Sequence, residues 1–297
     1  MTLCFGVTRN PLGSNVFNAL VDACQRLGVR YRTVDLTALT TALHPELRVR
    51  DDDGPVVVDF LSPTLFYWQA QAALAVKVLA AQGCRMLNSV DASLIADDKA
   101  ATALALRKAG VPQVATTAVP ADFEHVQAAA ANYGYPVVVK RTNGAQGRWI
   151  RLAHDDPELA QATAELQADG PGAILVQPVG AERLGESVRI IVTAGAVRAA
   201  TIRYAGGGEW RSNISAGGSQ VLTELSETER DLAVAATSAV ALGHAGVDLL
   251  RSADGPVVLE VNSCPDFTSM TPYVGNDLAA IVVEQTLRLR EGSPAAQ

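Results

Sequence analysis

The chain has 297 residues, too many for one ordinary hydrophobic core, and we expect about two or three compact units. Hydrophobic residues make up 48% and charged residues 19%, with 24 Gly and 14 Pro, which excludes disordered, collagen-like and coiled-coil chains. The net charge of −7 has no basic block to offset it, so a general nucleic-acid binder is not expected. The expected partners are small molecules.

The chain shows no targeting or membrane pattern. The apolar run at residues 3–7 lacks a basic segment before it and is too short for a signal peptide. The apolar segment at residues 70–81 contains Gln71 and Lys77 and is shorter than the roughly 20 residues of a membrane span. We therefore expect a cytoplasmic protein that does not engage a membrane. The scattered cysteines, which show neither disulfide nor zinc spacing, are expected in the core: Cys4, Cys24, Cys84 and Cys264.

Residues 1–90 predict a small doubly wound α/β unit. A strand at 3–7 precedes a helical apolar repeat that Gly28 closes as a C-terminal cap, and a second strand follows at 29–36. A helix is predicted at 68–82 and a short strand at 85–88. No G-x-G-x-x-G follows the first strand, so a dinucleotide site is not expected.

Beyond residue 90 the pattern changes to hairpins mixed with helices, which is typical of an α+β arrangement. We divide it into a unit at 91–178, a unit at 179–290 and a loose tail at 291–297. The predicted helices cover 97–108, 122–133, 157–168, 227–243 and 277–290. The predicted strands cover 137–140, 149–152, 173–179, 188–192, 197–202, 246–251 and 257–261.

The last predicted hairpin brings acidic side chains together. A three-residue loop at 253–255, ending in a glycine that suits a left-handed position, places Asp248 opposite Glu260, with Asn262 on the same face. Val247, Leu249, Leu259 and Val261 form the opposite face, which is expected to be buried. Carboxylate and amide oxygens suit Mg²⁺, although a solvated polar face is the alternative at this point.

Lysine is rare, with four residues against 20 arginines, so each lysine is informative. Lys140 ends a three-valine strand before the segment Asn143-Gly144-Ala145-Gln146-Gly147, and Lys99 opens a helix after two aspartates. A flexible Gly-rich tip with a lysine at its base is able to cover phosphates. An ordinary hairpin turn is the alternative, because the tip is not a Walker motif.

Cations continue along the next strands, where Arg189 and Arg203 lie on a predicted hairpin and Arg211 and Asn213 follow. Hydrolase chemistry has little support, because no G-x-S-x-G is present. The histidines are all expected at the surface: His44, His125, His154 and His244.

The order of these features resembles the ATP-grasp superfamily and, within it, the RimK-like carboxylate-amine ligases. The similarity extends from about residue 88 to 290, and the block at 211–262 is its most specific part. The segments that carry it are Asn88, Asp98-Lys99, Ala109-Gly110-Val111-Pro112, Pro136 to Lys140, Gly144 to Gly147, Val188-Arg189, Trp210 to Asn213, Gly217-Gly218, Gly246 to Leu250 and Leu259 to Asn262.

The resemblance implies a fold in which two α+β subdomains grip ATP, preceded by the small α/β unit. It implies phosphate binding by Lys99 and Lys140 under a flap with Gly144, Gln146 and Gly147. It implies Mg²⁺ at Asp248, Glu260 and Asn262, as two ions for which Mn²⁺ substitutes. Arg203 would stabilise the transferred phosphoryl group, with Arg211 and Asn213 beside the phosphates or the acceptor.

The adenosine end is where the sequence departs from the family pattern. Gln177, Pro178 and Val179 would meet adenine, and Pro178 replaces a usual Glu. Ser187, which replaces a usual Asp, and Arg189 would lie near the nucleotide. On the acceptor side, Pro265-Asp266-Phe267 replaces a usual Pro-Gly, so the family's known acceptors are not carried over.

The implied reaction is phosphorylation of a carboxylate by ATP, followed by attack of an amine to give an amide, ADP and phosphate. The substrates would be an amino acid, a peptide or a small amino-acid derivative. Three alternatives remain: ring closure within one small amino-acid substrate, a degenerate ATP-binding regulatory protein, and an oxidoreductase on the N-terminal unit. The protein is expected to be a homodimer or homotetramer.

Overall fold

The computed structural model describes residues 2–7, 14–62, 70–144, 149–168, 170, 172–180, 184–212, 214, 217–274 and 277–289. The predicted tail at 291–297 lies outside this set.

The strands are β1 Thr2–Val7, β2 Arg30–Asp35, β3 Thr40–Ala42, β4 Arg48–Asp51, β5 Gly54–Pro55, β6 Phe60–Ser62, β7 Thr117–Pro120, β8 Val137–Arg141, β9 Ile150–Ala153, β10 Ala173–Pro178, β11 Glu186–Thr193, β12 Ala196–Tyr204, β13 Ser219–Leu222, β14 His244–Ser252 and β15 Gly255–Asn262. The helices are α1 Asn15–Arg26, α2 Ala70–Ala81, α3 Val90–Asp97, α4 Lys99–Lys108, α5 Phe123–Tyr133, α6 Asp156–Ala168, α7 Glu227–Ala239 and α8 Leu278–Leu287. Within the described ranges, no helix is long and apolar enough to cross a membrane.

The N-terminal sheet is parallel, with strand order β2-β1-β6, as the α/β pattern predicts. Its central strand β1 is a continuous apolar run because both of its faces are covered. Leu3 and Phe5 pack in one cluster with residues of α1 and α8, while Cys4 points to the α2 side. Strands β3, β4 and β5 form a separate small antiparallel sheet.

The central sheet has the order β7-β10-β8-β9 and is antiparallel. Val137 and Val139 of β8 pack with residues of α5 and α6, which cover one face. Because strand side chains alternate, Lys140 projects from the other face, as does Gln177 of β10.

The C-terminal sheet has the order β13-β12-β11-β14-β15, and all of its neighbouring strands are antiparallel. One face is apolar and packs with residues of α7, α3 and α4 in the largest hydrophobic cluster described. The opposite face carries Arg189, Arg203 and Asp248, all of them buried. Lys140 of the central sheet and Glu260 of this one line the same cleft.

The β14–β15 hairpin confirms one part of the sequence prediction and corrects another. Asp248 does lie opposite Glu260, but Ser252 pairs with Gly255, so the loop has two residues instead of three. The register shifts after Asp248, where Leu249 pairs with Val258, and this bulge restores the expected partner. The bulge turns Leu259 out to a half-buried position and places Val258 in the core, so the predicted burial of Leu259 is wrong.

The helix predicted at 97–108 is α4, which begins at Lys99, and it is preceded by α3, a helix that was not predicted and that ends just before Asp98. The Ser89 hydroxyl accepts from the Ala92 N–H and caps α3, and Asp98 adopts an extended conformation with φ −98° and ψ 108°. The Asp98 carboxylate accepts from the N–H groups of Ala100 and Ala101 and caps α4. This cap fixes Lys99 as the first residue of α4.

Asn88 joins the N-terminal unit to the C-terminal sheet. The strand predicted at 85–88 is reduced to isolated pairs of Arg85 with Phe60 and of Asn88 with Leu242. The Asn88 side chain, 1% exposed, donates to the carbonyls of His244 and Ser263 and accepts from the N–H groups of Gly243 and His244. All four hydrogen bonds of this amide are therefore made inside the protein.

The predicted solvent exposure of two residues is wrong. His244 is buried beside Phe267, and its Nδ1 hydrogen bonds the Thr193 hydroxyl at 2.9 Å. Burial lowers the pKa of His244 to about 4. Cys264 is exposed, whereas Cys4, Cys24 and Cys84 are buried as expected.

Candidate functional site

A cleft lies between the central sheet and the C-terminal sheet, with about 320 Å³ of space between its walls, part of it open to solvent. Strands β8 and β10 form one wall, while α4 and β15 form the other. The described residues that line it are Lys99, Thr102, Ala103, Leu106, Gln113, Val114, Thr116, Lys140, Leu175, Gln177, Val258, Leu259 and Glu260. An apolar body with a few charged groups is typical of a ligand site.

Lys140 is a buried cation at the cleft. Its side chain follows Val138 on the face of β8 turned away from α5 and α6, and it is 5% exposed. Within the part of the chain that the structure describes, its amine makes no hydrogen bond or ion pair. Burial lowers the pKa of Lys140 to about 8, and nearby Lys99 acts in the same direction while Glu260 opposes it. An anion entering the cleft would find this amine without a competing partner.

Lys99 connects the other wall to the Gly-rich tip. Its Nζ donates to the Gly144 carbonyl at 2.6 Å and pairs with Glu260 Oε1 at 3.2 Å, and its N–H donates to the Thr142 carbonyl. Gly144 has φ +135°, and an added Cβ would lie 2.6 Å from the Trp149 ring. Only glycine fits there. Gln146 and Gly147, also expected in this tip, lie outside the described residues.

Arg189 and Asp248 form a bidentate ion pair on the polar face of the C-terminal sheet. Arg189 Nε and Nη2 each donate to one Asp248 oxygen at 2.6 Å. Burial alone would raise the pKa of Asp248, but the Arg189 guanidinium outweighs it and the pKa lies below its usual range. Gly246 makes the room, because a Cβ there would lie 2.6 Å from Pro265 and 3.2 Å from Arg189.

The three predicted metal ligands lie side by side. Asn262 donates its amide N–H to Asp248 Oδ2 and to the Gly246 carbonyl, both at 3.3 Å, so its amide oxygen stays available. Asp248 keeps lone pairs beyond those that Arg189 and Asn262 occupy, because a carboxylate offers about four acceptor sites. Glu260 is half-buried with Lys99 as its partner. This set of hard oxygens fits Mg²⁺.

Arg203 lies on the same face, opposite Ser187 in the β11–β12 pairing. It is 8% exposed, and its Nε is buried with no hydrogen-bond partner among the residues that the structure describes. Burial, together with the neighbouring Arg189, lowers the pKa of Arg203 to about 10. The guanidinium remains charged at neutral pH and is able to bind an anion.

Arg211 is held by its own loop, where its Nη2 donates to Glu209 Oε2 at 2.6 Å and its guanidinium lies 5.8 Å from the Trp210 ring centroid. Asn213 lies outside the described residues. The predicted roles of both residues stay predictions.

The residues expected near adenine are only partly assembled at the cleft. Gln177 lines it, and its amide donates to the Thr116 hydroxyl at 2.7 Å. The Val179 N–H donates to the Pro136 carbonyl at 3.2 Å, so it is already used. Pro178, Val179, Ser187 and Arg189 are not among the described lining residues. Ser187 instead contacts Ser212, with 2.6 Å between their hydroxyl oxygens.

The apolar wall of the cleft was not predicted from the sequence. Val114 and Val258 line it, and the Val114 N–H donates to the Val258 carbonyl. Asp97 was not predicted either; burial raises its pKa to about 6, with Lys99 opposing and Glu260 adding to the rise. The two aspartates before Lys99 were the available signal, and the pattern did not distinguish the cap Asp98 from its neighbour.

The family model for the RimK-like ATP-grasp domain matches residues 96–286, which is more than half of the chain. The chain belongs to the RimK-like ATP-grasp family. This confirms the family that the motifs indicated.

Sequence relatives of this RimK-like chain carry ligase names. It is 41% identical over 151 residues to the probable alpha-L-glutamate ligase 2 of Pseudoalteromonas atlantica, covering 51% of this chain and 50% of that protein. The chain thus spans about half the length of the bacterial relatives it matches first. It is 30% identical over 273 residues to a probable alpha-L-glutamate ligase of Methanococcoides burtonii, covering 89% of each.

Solved structures confirm the predicted ATP-grasp fold. A RimK domain ATP-grasp protein from Sphaerobacter thermophilus superposes with a TM-score of 0.73 at 21% identity, covering 97% of this chain and 100% of the other. D-cycloserine synthetase DcsG superposes with a TM-score of 0.72 at 20% identity, covering 96% and 98%. At these identities the similarity concerns the fold.

Proposed function

We propose that this RimK-like chain is an ATP- and Mg²⁺-dependent carboxylate-amine ligase that forms an amide bond through an acyl phosphate. The observation that carries the proposal is one cleft with a buried Lys140, which has no bonded partner among the described residues, on one wall and Glu260 on the other, next to Asp248 and Asn262. The cation suits phosphates and the oxygen set suits a metal, so the combination fits a metal-nucleotide complex better than a simple anion.

In the proposed reaction, a carboxylate oxygen of the substrate attacks the terminal phosphorus of ATP and ADP leaves. An amine nitrogen then attacks the acyl carbon and gives up a proton, and phosphate leaves with one oxygen of the original carboxylate. Lys99 and Lys140 neutralise charge on the phosphates, and the unpartnered Arg203 Nε donates to the transferred group. Asp248, Glu260 and Asn262 would hold Mg²⁺, which when bound supplies further charge neutralisation.

The substrates belong to the amino acids, peptides and small amino-acid derivatives, and the glutamate-ligase names of the relatives favour an amino acid as one of them. Ring closure within one substrate is the second candidate, which the superposition on D-cycloserine synthetase DcsG supports at the level of the fold. We further propose a cytoplasmic homodimer or homotetramer that uses small molecules and neither nucleic acid nor membrane.

Isotope transfer tests the chemistry. After a phosphate-release screen identifies a substrate, that substrate is labelled with ¹⁸O in its carboxylate, and the released phosphate is expected to carry one labelled oxygen. A Glu260→Gln variant should release little phosphate, because it keeps the shape and loses the charge that attracts Mg²⁺. Unlabelled phosphate from an active preparation would contradict the acyl phosphate. Nucleotide binding without substrate-dependent ADP would indicate a regulatory protein.

A further inference from the structure

The segment that carries Arg211 is fastened to the start of β11 by three hydrogen bonds. The Ala205 N–H donates to the Gly185 carbonyl at 2.7 Å, and the Gly185 N–H donates to the Trp210 carbonyl at 3.0 Å. The third bond joins the hydroxyls of Ser187 and Ser212 at 2.6 Å. Of these three, only the last is made by side chains, so it is the one that sequence changes directly control.

Residues 209–212 are also organised internally. The Glu209 carboxylate accepts from the N–H groups of Trp210 at 2.9 Å and Arg211 at 3.3 Å, and from Arg211 Nη2 at 2.6 Å. These bonds, the side-chain bond to Arg211 first, lower the pKa of Glu209 to about 2. The segment therefore behaves as one piece, and the Trp210 carbonyl and the Ser212 hydroxyl, on either side of Arg211, attach it next to β11.

The attachment point lies beside the buried arginines. Ser187 is 6% exposed and pairs with Arg203 across β11 and β12, and Arg189 lies two residues further along β11. A serine hydroxyl is neutral, so it fastens the segment without pairing with Arg203. The Arg203 Nε therefore stays available to bind an anion. An ionised carboxylate at position 187 would compete with that anion for Arg203.

We propose that Ser187 and Ser212 are positioning residues that hold the 209–212 segment, and with it Arg211, at the end of the β11–β12 pair that carries Arg203. In this role Ser187 does not contact the nucleotide, in contrast to the role that the family resemblance implies. Arg203 and Arg211, held in this way, act on the carboxylate substrate during phosphoryl transfer. This part of the proposal rests on the proposed ligase function. The attachment itself does not depend on that function.

The test compares Ser187→Ala, Ser212→Ala and the double variant with the parent. We expect kcat/KM for the carboxylate substrate to fall roughly three- to tenfold in each single variant and no further in the double variant, because one hydrogen bond is lost in all three. The KM for ATP should stay at the parent value. Ser212→Thr keeps a hydroxyl and should restore kcat/KM, and Ser219→Ala, on the exposed part of β13, is the matched control.

A second readout does not need activity. Ser187→Ala leaves the sequence of the segment unchanged, so the rate at which trypsin cleaves after Arg211, followed by mass spectrometry, reports its attachment. We expect cleavage to be roughly three- to tenfold faster than in the parent and in Ser219→Ala. Unchanged cleavage overturns the attachment, and it does so even if the parent shows no ligase activity. A rise in the KM for ATP alone, with substrate kinetics and cleavage unchanged, overturns the positioning role in favour of nucleotide contact.

Discussion

The two sheets beside the cleft hold buried charge in opposite ways. On the C-terminal sheet, Asp248 and Arg189 satisfy each other through two 2.6 Å hydrogen bonds, and the pKa of Asp248 lies below its usual range. On the central sheet, Lys140 is equally buried and makes no ion pair within the described residues, and its pKa falls to about 8. The charges of Arg189 and Asp248 neutralise each other, whereas Lys140 has no bonded partner among the described residues, so a bound anion would stabilise it.

The largest effect on stability is expected at the ion pair between Arg189 and Asp248. Asp248→Asn removes the negative charge and leaves the Arg189 cation buried, so the free energy of unfolding should fall by about 3 to 5 kcal/mol. Urea unfolding at pH 7 measures this change. Asp254→Asn, at the exposed tip of the same hairpin, is the control and should change stability by less than about 0.5 kcal/mol. An equally small change in Asp248→Asn would mean that the ion pair is not buried as described.

His244 is a second buried base whose pKa is lowered by burial, as that of Lys140 is, but it lies outside the cleft lining. Its pKa is about 4 in the folded protein and about 6.5 in the unfolded chain, so the unfolded state binds more protons between these values. The contribution of neutral His244 to the free energy of unfolding is therefore fully present above pH 6.5. It falls by about 3 kcal/mol as the pH drops to 4.

Urea unfolding between pH 7 and pH 4 measures this component as the difference between the parent and His244→Gln. The variant lacks the titrating group, so its stability should fall less steeply with acid. His44→Gln, at an exposed position, is the control for the loss of a histidine. Identical slopes in the parent and His244→Gln would show that His244 is accessible to protons.

Lys140→Met should have opposite effects on stability and on binding. Below pH 8 the lysine is protonated in both states and only the folded state bears the desolvation, so Met should raise the free energy of unfolding by about 3 kcal/mol at pH 7. The affinity for Mg-ADP, measured by calorimetry, should fall roughly ten- to a hundredfold, because a charged hydrogen bond to phosphate is lost. Lys108→Met, at the exposed end of α4, is the control for both measurements. A loss of stability with unchanged affinity would place the amine outside the site.

The smallest effect is a pH dependence of nucleotide affinity. Phosphate favours the protonated amine, so above pH 8 the binding of Mg-ADP takes up a proton and its affinity should fall up to about tenfold per pH unit. Calorimetry at pH 9 in two buffers of different ionisation enthalpy measures the proton uptake, which should be close to one. Lys140→Met should show none, and an equal uptake by that variant would assign the proton to another group.

The sequence predicts charge clusters within one hairpin better than contacts between distant strands. Asp248 and Glu260 are close in sequence, and their pairing was predicted correctly although the loop length was wrong, because the bulge at Leu259 compensates for the shorter turn. The ion pair between Arg189 and Asp248 joins residues 59 apart in sequence. The ion pair forms only because β11 and β14 are neighbours in the sheet, and a local sequence pattern does not predict which strands become neighbours.

Burial of single polar residues was equally hard to predict. His244 begins a strand, where a polar residue usually marks the surface, but Phe267 and the end of β11 cover it. The helix break at Asp98 had a local signal, since an aspartate before a helical run is a common N-cap. Two adjacent aspartates made the position of that cap ambiguous.

The four hydrogen bonds of Asn88 limit how the molecule can open. A rotation of the N-terminal unit away from the C-terminal sheet would have to break all four inside a buried contact, and each broken bond would leave an unsatisfied polar group. The segment at 112–114, which leads from α4 toward the central sheet, is held to β15 by two backbone bonds, from the Val258 N–H to the Pro112 carbonyl and from the Val114 N–H to the Val258 carbonyl. An opening of the cleft that keeps the Asn88 bonds intact therefore has to displace the central sheet and not the N-terminal unit.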